Sequence, residues 1–217
     1  MCQASHVSAM FIPLRLLLAF SLPLLLLSSP LTCNSIVKLT HTSTNFHLSS
    51  AEINWGSGSG QQSVTATSSP SSSESMWIIS EGHDGEECLA GTVINCNDII
   101  RLTHLLTGKN LHSHQFRSPL TSQQEVSAFG TDGTGDASDD WKIICSSGSN
   151  WSVDVPFHLQ HKETGKFLTS DSGARFTQQN CPNCPIVGQL EVVGTKGGGE
   201  GGKWVVQRGV FIQEIEE

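Results

Sequence analysis

Apolar and polar residues alternate with a period of two in three short stretches of this chain. Val37, Leu39 and His41 share one face of the first. Ile100, Leu102 and His104 share that of the second, and Phe157, Leu159 and His161 that of the third. Such alternation over a short run predicts a half-buried strand. A turn signal follows each stretch: Ser43-Thr44-Asn45, Thr107-Gly108-Lys109 and Thr164-Gly165-Lys166. Glycine, or asparagine in its place, supplies the positive φ of a tight hairpin. Each copy then reaches a second landmark, Gln62-Ser63-Val64-Thr65, Gln124-Glu125-Val126-Ser127 and Leu190-Glu191-Val192-Val193, and closes on Trp77, Trp141 or Trp204. The first two tryptophans stand 64 residues apart and the last two 63. A fixed period marks one supersecondary unit used repeatedly, with a core that closes only when the copies meet. No segment of the mature chain shows helical periodicity over three turns. The expected fold is all-β, a β-trefoil barrel of three four-strand units, because closure removes exposed sheet edges. The final strand is expected at Val210-Phe211-Ile212. Recurrence assigns His41, His104, His161, Trp77, Trp141 and Trp204 to the symmetric core, hydrogen-bonded rather than catalytic.

The N-terminal run breaks this pattern. Leu14 to Leu27 is almost wholly apolar and ends in Ser28-Ser29-Pro30. It reads as a secretory signal peptide cleaved near 29–35, and is short for a membrane span. The expected division is a leader over 1–33 and repeats over 34–87, 88–150 and 151–217. Arg15 is the leader's one charge, so the mature chain keeps 11 basic and 20 acidic residues, a net charge of −9. That balance argues against nucleic acid and against anionic membrane surfaces. About 185 residues remain, enough for one domain with a full core.

Secretion makes disulfides the default for the six remaining cysteines. Their spacing suggests Cys88 with Cys96 across a short loop, and Cys33 with Cys145 as neighbours in a closed barrel. Cys181 and Cys184 are left in Cys-Pro-Asn-Cys. Asn150-Trp151-Ser152 is an N-glycosylation sequon, expected in an exposed loop.

Several strings resemble the MIR-repeat proteins of the stromal cell-derived factor 2 family. They are Trp55-Gly-Ser-Gly-Ser-Gly-Gln-Gln-Ser-Val-Thr65, Leu111-His-Ser-His114, Ser118-Pro-Leu120, Gln124-Glu-Val-Ser-Ala-Phe-Gly130 and Asp139-Asp-Trp141. The resemblance covers residues 34 to about 212. It implies a trefoil of three MIR units in the endoplasmic reticulum lumen, acting in folding quality control. The implied partners are a J-domain co-chaperone, the lumenal 70-kDa heat-shock chaperone it serves, and unfolded or glycosylated clients. The family parallels are non-enzymatic and imply no cofactor. The chain departs from the family pattern in several places, and only unit two keeps the histidine pair, with Leu168-Thr-Ser-Asp171 at that point of unit three. Unit one has Leu48-Ser-Ser-Ala51 where Leu-His-Ser-His is usual. Unit three is longer between its landmarks, with 24 residues from Leu168 to Val192 against 15 from Leu111 to Val126. The terminus Gln213-Glu-Ile-Glu-Glu217 is not a retrieval signal, so retention is expected to depend on a partner, with secretion as the alternative.

Candidate chemistry is sparse. His112 and His114 alternate on a strand, but two ligands do not make a zinc site. Asp132, Asp136, Asp139 and Asp140 lack the spacing of a calcium loop and read as a solvated acidic loop. Gly197–Lys203 imitates a phosphate loop, but Trp204 stands where Ser or Thr should, and no helix follows. Cys181 and Cys184 lack the helix N-terminus that activates a redox dithiol. A lectin-like trefoil would present an exposed aromatic on each repeat. Partner choice is expected in features that the units do not share: Gly56, Gly58, Gly60, Gln61 and Gln62 of unit one, and the His112–Ser118 segment of unit two. The insertion Gln178–Pro185 is expected to be dispensable.

Overall fold

The computed structural model describes residues 28–215. Residues 1–27, which hold most of the expected leader, lie outside the described residues. Unit one holds β1 (Ile36–His41), β2 (His47–Ser49), β3 (Gln62–Ser63), β4 (Thr65–Thr67) and β5 (Trp77–Glu81). Unit two holds β6 (Ile99–His104), β7 (Asn110–Arg117), β8 (Gln124–Phe129) and β9 (Trp141–Cys145). Unit three holds β10 (Phe157–His161), β11 (Phe167–Arg175), β12 (Leu190–Thr195) and β13 (Trp204–Val210). The first and last strands of the units pair around a closed ring: β1 with β5, β5 with β6, β6 with β9, β9 with β10, β10 with β13, and β13 with β1. The inner hairpins cap one end of this barrel and join through β3–β8, β8–β12 and β12–β4. This is a β-trefoil. The final strand differs from the expectation: β13 runs on from Trp204 to Val210, and Phe211 and Ile212 follow it outside the sheet.

The alternating residues behave as their period requires. Val37, Leu39, Leu102, Phe157 and Leu159 are fully buried. Asn45, Gly108 and Gly165 take φ of 58°, 64° and 67° at the three hairpin turns. Each repeat tryptophan donates its indole N–H to the carbonyl of the second-strand leucine: Trp77 to Leu48 at 3.1 Å, Trp141 to Leu111 at 2.8 Å, and Trp204 to Leu168 at 3.0 Å. Each also lies 5.0 Å from a histidine of the next unit around the ring, pairing Trp77 with His104, Trp141 with His161, and Trp204 with His41. The tryptophan indoles and the histidines therefore seal the joints between units.

The histidine tautomer follows from its partners. Nε2 of His41, His104 and His161 meets a carbonyl oxygen, of Gly201, Glu74 and Ser138 respectively, at 2.9–3.0 Å. A carbonyl only accepts, so Nε2 carries the proton, and Nδ1 accepts from the hydroxyl of Thr44, Thr107 or Thr164. Burial disfavours the imidazolium and lowers all three pKa values from the ordinary 6.5. The unfolded chain then binds more protons than the folded one, so stability rises with pH in this range. The contribution is complete above 6.5 and is lost as pH falls through 6.5 towards the folded values. The urea midpoint is expected to be lower at pH 5 than at pH 7.5; an equal or higher midpoint at pH 5 contradicts this.

The disulfides correct the expected pairing. They join Cys33 to Cys88, Cys96 to Cys145, and Cys181 to Cys184. Cys88 does not reach Cys96 because the link between them is drawn out along its neighbours. Val93 bridges to Thr32 and Asn95 to Asn150, so the two cysteines sit beside different segments. The N-terminal segment also belongs to the fold earlier than residue 34. Pro30 bridges to Ser152, and Leu31 and Cys33 are fully buried. Asn150 lies in the bridge with Asn95 and is half-buried rather than in an open loop.

Candidate functional site

The site read from the sequence is two segments of different units, and the structure brings them together on one carboxylate. Glu125, in β8, is fully buried. Its side chain accepts from the Ser59 amide at 3.3 Å, from the Ser59 hydroxyl, and from His114 Nε2 at 3.2 Å. The Gly56–Gly60 loop of unit one is thereby pinned to the strand carrying His114. Gly58 is required at this contact. Its φ is +68°, and a Cβ there would lie 1.8 Å from Glu125 Oε2. A Cβ at Gly56 or Gly60 would meet nothing within 4 Å, so the loop faces open space on either side of its pin.

Glu191, at the same register in unit three, repeats the device. It is 1% exposed and accepts from the amides of Leu120 and Thr121 at 2.7 and 3.1 Å, and from the Thr121 hydroxyl at 2.6 Å. Each carboxylate holds the loop of the preceding unit. The third position in the cycle is Ser63, whose buried hydroxyl has no partner. Sequence reasoning alone does not single out these two glutamates. The available signal is a glutamate immediately before the landmark valine in two units of three, where the first unit has Ser63. Glu191→Ala leaves three donors without their acceptor, and the expected loss is about 2–3 kcal/mol. Amide hydrogen exchange at Leu120 and Thr121 should rise well above the change elsewhere; a uniform rise would mean that Glu191 is no local clasp.

His112 and His114 do share a neighbourhood, with ring centroids 4.9 Å apart. His112 is nevertheless an inward residue, 3% exposed, with Nδ1 2.8 Å from Asp139 Oδ1. Asn110 Nδ2 and the Asp136 amide hold the other Asp139 oxygen at 3.0 and 2.9 Å. His112 thus positions the strand and is no contact surface. Gln62 is likewise inside, donating to the hydroxyls of Ser50 and Thr107, while Gln61 accepts from Ser127. The acidic loop is only half solvated. Asp139 and Asp140 are fully buried, and Asp140 accepts from the His83 amide and from Lys162 Nζ.

What unit two does present is Phe116, 49% exposed, its ring 4.7 Å from that of His114. A cleft of about 560 Å³ runs beside it, lined among others by Arg117, Gln124, Glu163 and Lys166. Gln124 is buried and its carbonyl oxygen has no partner. The insertion of unit three reaches the same end of the barrel. Phe176 and Ile186 pack with Trp55, whose indole donates to the Val126 carbonyl, and Leu120, Cys181 and Cys184 border this cluster. Loops of all three units therefore meet around Trp55. Of the insertion Gln178–Pro185, Cys181 and Cys184 border this cluster, while its buried members Phe176 and Ile186 flank the insertion.

Comparison with known proteins agrees with this architecture. The MIR domain model matches residues 56–180. The chain is 44% identical over 186 residues to stromal cell-derived factor 2-like protein 1 of Bos taurus, covering 86% of this chain and 80% of that one. It is 43% identical over 185 residues to human stromal cell-derived factor 2, covering 85% and 83%. Among solved structures, the stromal cell-derived factor 2-like protein of Arabidopsis thaliana superposes with a TM-score of 0.79 at 36% identity, over 86% of this chain and 99% of that one. The Saccharomyces cerevisiae protein O-mannosyltransferase complex Pmt1–Pmt2 matches with a TM-score of 0.72 at 25% identity, over 88% of this chain and 28% of that one. With its family model matched over more than half its length and more than 40% identity over at least four-fifths of these two relatives, the chain belongs to the stromal cell-derived factor 2 family of MIR-domain proteins.

Proposed function

We propose that this chain is a non-catalytic subunit of a folding-quality-control complex in the endoplasmic reticulum lumen. It binds a J-domain co-chaperone that works with the lumenal 70-kDa heat-shock chaperone, and through that complex meets unfolded or glycosylated clients. The observation that carries the reading is family membership across the whole trefoil. The loop end of the barrel supplies a surface for it. The pinned Gly56–Gly60 loop and the exposed Phe116 ring offer a shaped loop and an apolar anchor on the two units that Glu125 joins. Interfaces commonly centre on such an aromatic anchor.

The glycan-binding reading has less support. The three repeat tryptophans that would carry a threefold set of sugar sites are fully buried. The test is capture of the tagged full chain from microsomes under mild conditions, with partners identified by mass spectrometry. A J-domain protein should be recovered, and Phe116→Ala should weaken its binding at least fivefold while circular dichroism stays unchanged. Recovery of no such protein would refute the proposal. Recovery that Phe116→Ala leaves intact would move the contact to another face.

A further inference from the structure

We propose that the Cys181–Cys184 disulfide is a thiol-exchange site, taking two electrons from a dithiol of a polypeptide while the barrel stays folded. Three observations point there. The first is where the loop is held. In the threefold cycle two loops are clasped by buried carboxylates, Glu125 on Ser59 and Glu191 on Thr121. The loop of unit three has Ser63 in place of that carboxylate, and the serine hydroxyl makes no bond. This loop instead carries a disulfide between residues three apart in sequence.

The second is how the three disulfides are embedded. Cys33–Cys88 and Cys96–Cys145 span 55 and 49 residues, and the backbone beside each is hydrogen-bonded to the segment it joins. The Cys33 amide donates to the Thr92 carbonyl at 2.9 Å, and the Cys96 amide to that of Ser149 at 2.8 Å. The folded barrel holds those sulfur pairs together even when reduced, so they reclose. Cys181 and Cys184 share only a local turn, with bonds from the Cys181 amide to Thr177 and from the Cys184 amide to Cys181. No barrel strand crosses between them.

The third is access. Pro182 and Asn183, between the two sulfurs, and Pro185 and Val187 beyond them are exposed, and both cysteines are half-buried. Cys88, Cys96 and Cys145 are half-buried as well and Cys33 is fully buried, so what sets this pair apart is the exposed turn between its two sulfurs. Solvent-accessible disulfides exchange more readily than buried ones.

The chemistry balances without a further oxidant. A thiolate of the incoming dithiol attacks one of the two sulfurs, the S–S bond breaks, and the other cysteine leaves as a thiolate. The second thiolate of the dithiol then attacks the mixed disulfide at its own chain's sulfur and expels the remaining cysteine. The incoming dithiol is oxidised to a disulfide, and Cys181 and Cys184 are reduced, taking up the two protons that it gave. Because both sulfurs border the Trp55, Phe176 and Ile186 cluster, the exchange is coupled to the packing of the loop end.

The test treats the oxidised, folded chain with graded dithiothreitol, then alkylates and maps the thiols. Cys181 and Cys184 should be labelled at a reductant concentration at least tenfold below that which labels Cys33, Cys88, Cys96 or Cys145, with circular dichroism unchanged. Incubation with a reduced Cys-x-x-Cys peptide should give one oxidised peptide per chain. The Cys181→Ser/Cys184→Ser variant should give none. Prior reduction of Cys96–Cys145, simultaneous opening of all three disulfides, or a peptide left reduced by the oxidised chain overturns the proposal. The first arm needs no variant, so it stands whether or not the double serine chain folds.

Discussion

Replacing Trp141 with alanine is expected to lower the stability of the domain by about 3–5 kcal/mol. The ring is fully buried, it donates to the Leu111 carbonyl within its own unit, and it packs 5.0 Å from His161 of the next. Truncation thus empties a large volume at a joint between units and orphans a buried carbonyl. It also removes the neighbour against which His161 is held between Ser138 and Thr164. Total stabilities of ordinary domains are about 5–15 kcal/mol, so one such change removes much of what keeps the barrel closed. The phenotype should be loss of folding, read as a fall in the urea midpoint and in yield, and not a selective loss of binding. A well-folded Trp141→Ala chain that fails only to bind a ligand would mean that the indole works at the surface, and would bring the glycan reading back.

What the sequence made legible was whatever recurred. The period-two faces, the hairpin turns and the histidine and tryptophan positions repeat three times, and repetition separates the requirements of the barrel from local accident. Threefold closure then follows from packing alone. The candidate site was legible only in part, because its members do not repeat. His112 reads as a surface residue beside His114, since a strand places alternate residues on one face. Its burial depends on Asp139, which arrives from the turn before Trp141 and carries no local mark of that pairing. Glu125 and Glu191 look like solvent-facing charges of their strands until the loop of the preceding unit is folded over them. The insertion could not be placed against Trp55 for the same reason: contacts between units are set by the cyclic arrangement, while spacing along the chain reports only neighbours within one unit. Cysteine spacing misled in the same way, since an extended link takes the two ends of a short segment to different strands.

That correction leads to the second large effect. The Cys96→Ser/Cys145→Ser chain is expected to lose about 4 kcal/mol, the loop-closure entropy returned to the unfolded chain when a ring of about 50 residues is opened. Cys145 ends β9, which pairs with β10, and Cys96 sits where the inter-unit link meets Ser149. The native strands need not move when the bond is absent, so most of the loss should come from the unfolded state. Urea denaturation should show a lower midpoint with native circular dichroism in the absence of denaturant. The same variant decides the pairing. With Cys33 joined to Cys88 and Cys181 to Cys184, removing Cys96 and Cys145 together leaves no unpaired cysteine among the described residues. Were Cys88 joined to Cys96 and Cys33 to Cys145, the same substitutions would strand two thiols. Thiol titration of the denatured, unreduced variant against the parent chain distinguishes the two. No added thiol is expected, and a gain of two would show that the inter-unit link folds back on itself instead of lying between the N-terminal segment and the loop before Trp151.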